Sequence, residues 1–353
     1  MLFKKPMVAI DIGSKAIKIL DTQRADPIKI KKAGIEYLPG SAIVDGSIID
    51  SAAVANALKL LLKRLKISTR GRRVAISIGG SSVIIKKISF PLADDLEIAQ
   101  MVETEAEQHF QYSLDELYYT WHILENSLDA SQSHVLLVGA KKDFVNQHMA
   151  VVKAVGFKIG VVDCDVFAAT NMLEFTNGIT TDLIGLINIG SSVTQVSFVE
   201  NGNPIFTREI AMGGNNFTHE IVKQMGIGFD EAETLKITLS EERDSSQPKM
   251  LVAINKISAQ IASEIQLTID FFLQKENNKN LGKTLRAIYL CGGASSTFGL
   301  IETIAKTTQA EVGIINPFQG VDISKSVASN LSSSESNLFS VAIGLCLREE
   351  EDG

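Results

Sequence analysis

The chain carries two copies of one short pattern, half its length apart. The first runs Val8-Ala9-Ile10-Asp11-Ile12-Gly13-Ser14-Lys15-Ala16-Ile17-Lys18-Ile19-Leu20. The second runs Leu186-Ile187-Asn188-Ile189-Gly190-Ser191-Ser192-Val193-Thr194-Gln195-Val196-Ser197-Phe198. Each reads as an apolar strand, a sharp turn opening with Asp/Asn-x-Gly-Ser, and a second strand. A repeat at this spacing predicts two related lobes facing each other. Two such turns can grip one phosphate chain from both sides, so a nucleotide cleft between the lobes is expected.

The 353 residues suffice for two domains, each with its own core. The net charge of −7 argues against a broad nucleic-acid or anionic-lipid surface. No apolar run approaches the roughly 18 residues of a membrane span. Met1-Leu2-Phe3-Lys4-Lys5 leads straight into a strand, with no secretory apolar region. Cys164, Cys291 and Cys346 are scattered in apolar surroundings, as packed, reduced thiols of a cytoplasmic protein are. The five histidines show no metal-ligand spacing.

Strands are expected at 7–12, 16–22 and 28–37, then a helix at 51–66 capped by Asp50. Residues 74–78 and 82–90 read as two strands around the Gly79-Gly80 turn. A helix at 94–110, strands at 117–125 and 134–140, and a helix at 142–155 suggest a subdomain inserted in the first lobe. After a strand at 157–162 and a helix at 166–175, the second lobe repeats the opening pattern. Helices at 215–225 and 230–239 follow, then a polar linker at 240–249. A helix at 250–274 carries Ile254, Ile257, Ile261 and Ile265 along one side. The strand 286–291 ends in Gly292-Gly293. A Ser-rich loop at 332–336 precedes a last helix at 337–347. Strands before helices in each half point to α/β lobes.

Gly13 lets backbone approach a ligand, and the amides of Ser14 and Lys15 can face an anion as a small nest. Lys18 would set an ammonium near phosphates. Asp11 would hold hydrated Mg²⁺, which keeps waters and prefers oxygen ligands. An Asx-capped hairpin explains one such turn equally well; recurrence at 188–191 favours the phosphate reading. Ile288-Tyr289-Leu290-Cys291-Gly292-Gly293-Ala294-Ser295 would lay a flat ligand against bare backbone. Glu233 and Lys236, three apart on one helical face, either bind a ribose and adenine edge or form a solvated ion pair. Asp163 and Asp165 read as a carboxylate pair or as a cap of the 166–175 helix. Leu281-Gly282-Lys283-Thr284 is no phosphate loop, because Asn277 stands where the motif needs glycine.

The order of these elements resembles the actin-like ATPase superfamily. Residues 8–20 and 186–198 match its two phosphate loops, 288–295 its adenosine motif, and 161–172 and 340–347 its two connecting helices. Within it, the chain looks most like the PilM family of type IV pilus assembly proteins, relatives of the cell-division protein FtsA. Met212-Gly213-Gly214-Asn215-Asn216-Phe217-Thr218 with Ala232, Glu233 and Lys236 carries that likeness, as do Val162-Asp163-Cys164-Asp165-Val166-Phe167-Ala168 and the insertion. The ending Leu347-Arg348-Glu349-Glu350-Glu351-Asp352-Gly353 is acidic and unlike the basic membrane helix that ends FtsA.

The resemblance implies a two-lobed, ribonuclease-H-like duplicated α/β fold with an FtsA-type inserted subdomain. First lobe 1–81, insertion 82–157, connector 158–180, second lobe 181–335 and returning helix with tail 336–353 are expected. It implies ATP or ADP with Mg²⁺ at Asp11 and Asn188. The nucleotide-binding set would be Gly13, Ser14, Lys15, Lys18, Gly190, Ser191, Ser192, Thr194, Gly213, Gly214, Glu233, Lys236, Gly292, Gly293, Ala294 and Ser295. Asp11, Asn188 and Asp165 would be the catalytic group. Asn188 stands where hydrolases of the superfamily carry Asp, so slow hydrolysis at most is expected. The family likeness also implies a place at the cytoplasmic face of the inner membrane, held there through partners. Those partners would be the N-terminal cytoplasmic peptide of PilN, other pilus platform proteins and pilus motor ATPases. A filament-forming FtsA-like protein, a small-metabolite kinase and a type II secretion homologue are the rival readings.

Overall fold

The computed structural model describes residues 7–23, 27–124, 132–242, 247–277, 282–324, 327, 331 and 333–348. Its strands are β1 Val8–Ile12, β2 Ala16–Gln23, β3 Lys29–Tyr37, β4 Ile43–Val44, β5 Ser47–Ile48, β6 Arg73–Ile78, β7 Val83–Pro91, β8 Leu117–Leu124, β9 Gln132–Lys141 and β10 Lys158–Cys164. The second half holds β11 Leu183–Ile189, β12 Thr194–Glu200, β13 Asn203–Ile210, β14 Leu285–Cys291, β15 Val312–Ile314 and β16 Asp322–Ile323. The helices are α1 Ser51–Arg64, α2 Asp95–His109, α3 Lys142–Ala154, α4 Asp165–Asn177, α5 Gly214–Met225, α6 Phe229–Glu242, α7 Pro248–Asn277, α8 Leu300–Thr308 and α9 Ser340–Cys346.

The repeat in the sequence is a repeat of topology. One sheet runs β10-β6-β1-β2-β3 with β16 added at the edge; the other runs β15-β14-β11-β12-β13. In both, a central strand pairs antiparallel with the strand after its turn and parallel with a strand from further along the chain. Both faces of these sheets are covered, so the strands read as near-continuous apolar runs.

Three cores organise the lobes. Val8, Ile10, Ile17 and Ile19 pack under α1 in the first. Ile187, Val196 and Phe198 pack against Ile254, Ile257, Ile261 and Ile265 of α7 in the second. The third joins the sheets: Ala9 and Ala75 from one and Leu186 and Cys291 from the other meet Ala168, Ala169 and Met172 of α4 and Ala342, Ile343 and Leu345 of α9. The connecting helices therefore lie where both lobes can lean on them.

The smaller sheet, β7-β9-β8, is antiparallel and covered on one face by α2, through Ile98, Val102 and Ala106. Asp94 caps α2 in a reciprocal box with Glu97. Four sequence expectations differ from the structure. The strands β6 and β7 form no hairpin; Gly80, at φ +92°, turns the chain out of the first sheet into the small one. The helix α3, grouped by sequence with the insertion, puts Val151 and Val152 into the first lobe's core. The expected linker at 240–249 is partly helical, since α6 reaches Glu242 and α7 starts at Pro248. Likewise Ser333–Ser336 forms a helical turn rather than a loop. No helix among the described residues is long and apolar enough to cross a membrane.

Candidate functional site

The two β-turn-β units converge on a cavity of about 480 Å³ between the lobes, a size typical of small-molecule sites. Asp11 lies opposite Lys18 in the first unit, and Asn188 opposite Gln195 in the second. Each turn closes by the same bond: Gly13 N–H donates to Ala16 O at 3.1 Å, and Gly190 N–H to Val193 O at 2.9 Å. The turns are geometric copies as well as sequence copies.

From the first lobe, Asp11, Gly13, Ser14, Lys15 and Lys18 line the cavity. Asp11 and Lys18 are buried and ion-paired at 2.8 Å, so each offsets the desolvation of the other. Lys15 reaches across the opening and ion-pairs with Glu233 of the second lobe.

Asn188, Gly190, Ser191 and Ser192 form the opposing wall. The Gly213-Gly214 segment braces that turn from behind: Gly214 N–H donates to Gly190 O at 2.9 Å and Asn215 N–H to Ser191 O at 2.8 Å. A Cβ on Gly213 would lie 2.6 Å from Gly190 O, so only glycine allows this approach. Gly292, Gly293 and Ala294 form a third wall. Gly292 sits at φ +87°, and a Cβ there would lie 2.2 Å from Asn188 Oδ1.

On α6, Lys236 is buried and satisfied three times: by Gly214 O at 2.9 Å, Thr218 Oγ1 at 2.9 Å and Glu233 Oε2 at 2.7 Å. Burial alone would raise the Glu233 carboxyl. Lys236 and hydrogen bonds from Lys15, Lys236 and Thr218 outweigh that and bring it down to about 2. The pair is thus neither a solvated surface pair nor two free ligand donors. It is a partly buried knot tying α5, α6 and the first turn, with both side chains still on the cavity wall.

Three expected binding residues lie off that wall. Thr194 is buried and donates to Met212 O at 2.8 Å. Ser295 is buried and donates to Gly292 O at 2.7 Å. Gly213 serves the brace just described. Each shapes a loop whose neighbours face the cavity.

Asp165 heads α4 and faces the cleft, but it does not cap the helix; Cys164 is the N-cap residue, without a side-chain bond. Burial and then the charge of Asp11 hold the Asp165 carboxyl well above the usual range, with Lys18 opposing. Asp163 points elsewhere and pairs with Arg348 at 2.6 Å. Glu209 of β13, which no sequence motif marked, completes the floor. Its Oε1 accepts from Gly80 N–H of the first lobe at 3.0 Å, and burial raises its carboxyl. Tyr37 and Leu338 also line the cavity unannounced by motif.

Among the described residues no group of three or more His, Cys, Asp or Glu side chains could enclose a metal ion. A Mg²⁺ that keeps most of its waters needs only one or two carboxylates beside phosphate oxygens. Asp11, with Asp165 beside the cleft and Asn188 across it, fits that water-mediated role.

A second, smaller cavity, about 320 Å³, lies between β7 and β13. It shares Gly80, Asp165, Gln195 and Glu209 with the first.

The family model of type IV pilus assembly protein PilM matches residues 9–350. The solved PilM-PilN type IV pilus biogenesis complex contains a chain similar to this one, with a TM-score of 0.80 at 22% identity, over 98% of this chain and 99% of that one. Ethanolamine utilization protein EutJ from Carboxydothermus hydrogenoformans follows at 0.59 and 16%, covering 98% and 90%. MreB 5 of Spiroplasma citri, bound to AMPPNP, matches at 0.50 and 14%, covering 97% and 95%. These likenesses show a two-lobed actin-like fold. Matched by that model along nearly its whole length, the chain belongs to the type IV pilus assembly protein PilM family.

Proposed function

We propose that this protein is the nucleotide-binding cytoplasmic component of a type IV pilus assembly platform, and that it binds the N-terminal cytoplasmic tail of PilN. The observation that carries the nucleotide reading is the convergence of two equivalent turns on one interlobe cavity, in a chain of this family. ATP or ADP would set its phosphates between Ser14-Lys15 and Ser191-Ser192. Its adenosine would lie against Gly292-Gly293, beside Glu233 and Ile237 of α6. Asp11 and Asn188 would hold the waters of Mg²⁺, whose chemistry is to neutralise phosphate charge.

Nucleotide would act as a switch. Phosphates entering the cleft compete with Glu233 for the Lys15 ammonium, which ties the lobes when the cleft is empty of anions. The second cavity shares its Glu209 and Gly80 wall with the cleft, so a peptide seated beside β7 would sense that change. Hydrolysis would be slow, because the Asn188 amide brings no charge to orient water. Association with the inner membrane would run through the partner, and other platform proteins or pilus motor ATPases would read the nucleotide state through it.

The test is a calorimetric titration of the protein with a peptide copying the co-encoded PilN tail, with and without Mg-ATP. Micromolar or tighter binding that changes with nucleotide is expected. Absence of binding in both states would sink the platform reading.

A further inference from the structure

Every long sheet edge in the described residues but one carries a device against pairing with another chain. At β10 the ladder slips between Ile159 and Val161. The β13 edge holds Pro204, Arg208 and Glu209, beside a slip at Phe198/Val199. The β7 edge holds Lys86, Lys87 and Pro91 and faces the cavity shared with β13. The β15 edge is three residues long, and β3, which β16 covers only at Lys29 and Ile30, carries Lys31, Lys32 and Glu36 along the rest of its edge. Bulges, edge lysines, prolines and short strands are the usual protections of an exposed ladder.

The exception is β8, Leu117-Tyr118-Tyr119-Thr120-Trp121-His122-Ile123-Leu124. It pairs with β9 on one side only, over eight residues without a slip. It has no Lys, Arg, Asp, Glu or Pro. Aromatic and β-branched residues, the best strand formers, fill most of it. Both faces of its sheet are used, by α2 on one side and by Leu124 and Leu136 against the second lobe on the other. Tyr118 and Tyr119 nonetheless stand 47% and 39% exposed. Among the described residues, what remains open is the ladder itself and its flanking rings.

We infer that β8 is a self-association edge, at which a second copy of this chain pairs antiparallel with β8 about a two-fold axis and joins two three-stranded sheets into one of six. The strand is its own complement. An axis at Thr120 keeps every side chain on its own face of the sheet and sets Thr120 opposite Thr120, Tyr119 opposite Trp121, Tyr118 opposite His122 and Leu117 opposite Ile123 of the second copy. These aromatic and aliphatic cross-strand pairs are favourable. No fixed charge meets a like charge along the seam, although each chain carries −7 overall. A closed two-fold interface consumes both edges and stops at two.

Sedimentation velocity of the full chain from micromolar to millimolar concentration tests this, alongside hydrogen exchange of the β8 amides. A reversible dimer is expected, strengthened by salt, which screens the repulsion between two anionic bodies. The β8 amides not bonded to β9 should gain protection as concentration rises. Thr120→Lys puts two ammonium groups beside the axis on an exposed position. It should weaken the dimer by roughly tenfold or more, with the thermal melt unchanged, while Thr120→Val retains it. A chain that stays monomeric throughout overturns the inference. So does a dimer whose β8 amides exchange as fast as in the monomer, or a foreign strand as the edge's sole occupant.

Discussion

Lys15 of the first lobe and Glu233 of the second form an ion pair across the cleft, and Glu233 also holds buried Lys236 on its own helix. One carboxylate thus answers two ammonium groups from opposite walls. Its acidity is the outcome: burial pushes up, the two lysines and Thr218 pull down further, and the carboxyl settles at about 2.

The consequence for stability has a definite sign. A carboxyl with a lowered folded value stabilises the fold above its unfolded value near 4.5 and loses that contribution as pH falls toward 2. Acid unfolding of the wild type should therefore include a component in this interval that Glu233→Gln lacks. At neutral pH the substitution leaves Lys236 buried beside a neutral amide, and a loss of about 2 kcal/mol is expected in chemical denaturation.

Freed from Glu233, Lys15 is available to anions. Glu233→Gln should weaken the adenosine contact yet raise the on-rate for inorganic triphosphate, whereas Lys15→Ala should slow both ligands. Stopped-flow binding of a fluorescent ATP analogue and of triphosphate as competitor separates these effects. Equal slowing of both ligands by both variants would refute competition for Lys15.

Asp165 behaves oppositely. Its folded carboxyl is raised, by burial first and then by Asp11. Such a group stabilises while protonated, and that contribution is lost as pH rises from the unfolded value near 3.8 through the folded one. Asp165→Asn should make the protein more stable at neutral pH and flatten its melting temperature between mildly acidic and neutral buffers. The same variant should reduce any slow ATP hydrolysis, the trade expected of a strained site group.

Asn188→Asp is the complementary change. It returns a charge to the wall facing Asp11 and the metal waters. Single-turnover hydrolysis should rise by roughly tenfold or more, measured as phosphate release. No rise, with nucleotide affinity kept, would mean that water is positioned elsewhere in the cleft.

What the sequence made legible was local chemistry. The Asp-x-Gly-Ser turns and Gly292-Gly293 are decided within a few residues, by glycine and by strand alternation, and the structure places them around one cavity. Contacts between distant segments were not legible. Lys15 and Glu233 lie 218 positions apart, and Glu209 meets Gly80 only because the lobes close. Gly213 carries a sequence signal that looks like ligand binding but answers a crowding problem at Gly190. Short strands such as β15 and β16 lack a periodic run and are defined by the neighbour they pair with.

Gly344 provides the sharpest test of how the lobes are joined. It sits on α9 where that helix crosses α4, and a Cβ there would lie 1.7 Å from Ala168 O and 2.4 Å from its carbonyl carbon. The obstacle is backbone, which cannot rotate away as a side chain can. Gly344→Ala must therefore push the two connecting helices apart or bend one of them, at a cost of about 3 kcal/mol or more. Because α4 and α9 share the core that touches both sheets, the displacement would reach Asp165 at the head of α4. The expected result is a large drop in melting temperature together with weakened nucleotide binding. Gly71→Ala, at an open surface turn with φ +68°, should cost only about 1 kcal/mol and leave nucleotide binding intact. If both variants lowered stability alike while nucleotide affinity was kept, the crossing would be a packing contact without influence on the cleft.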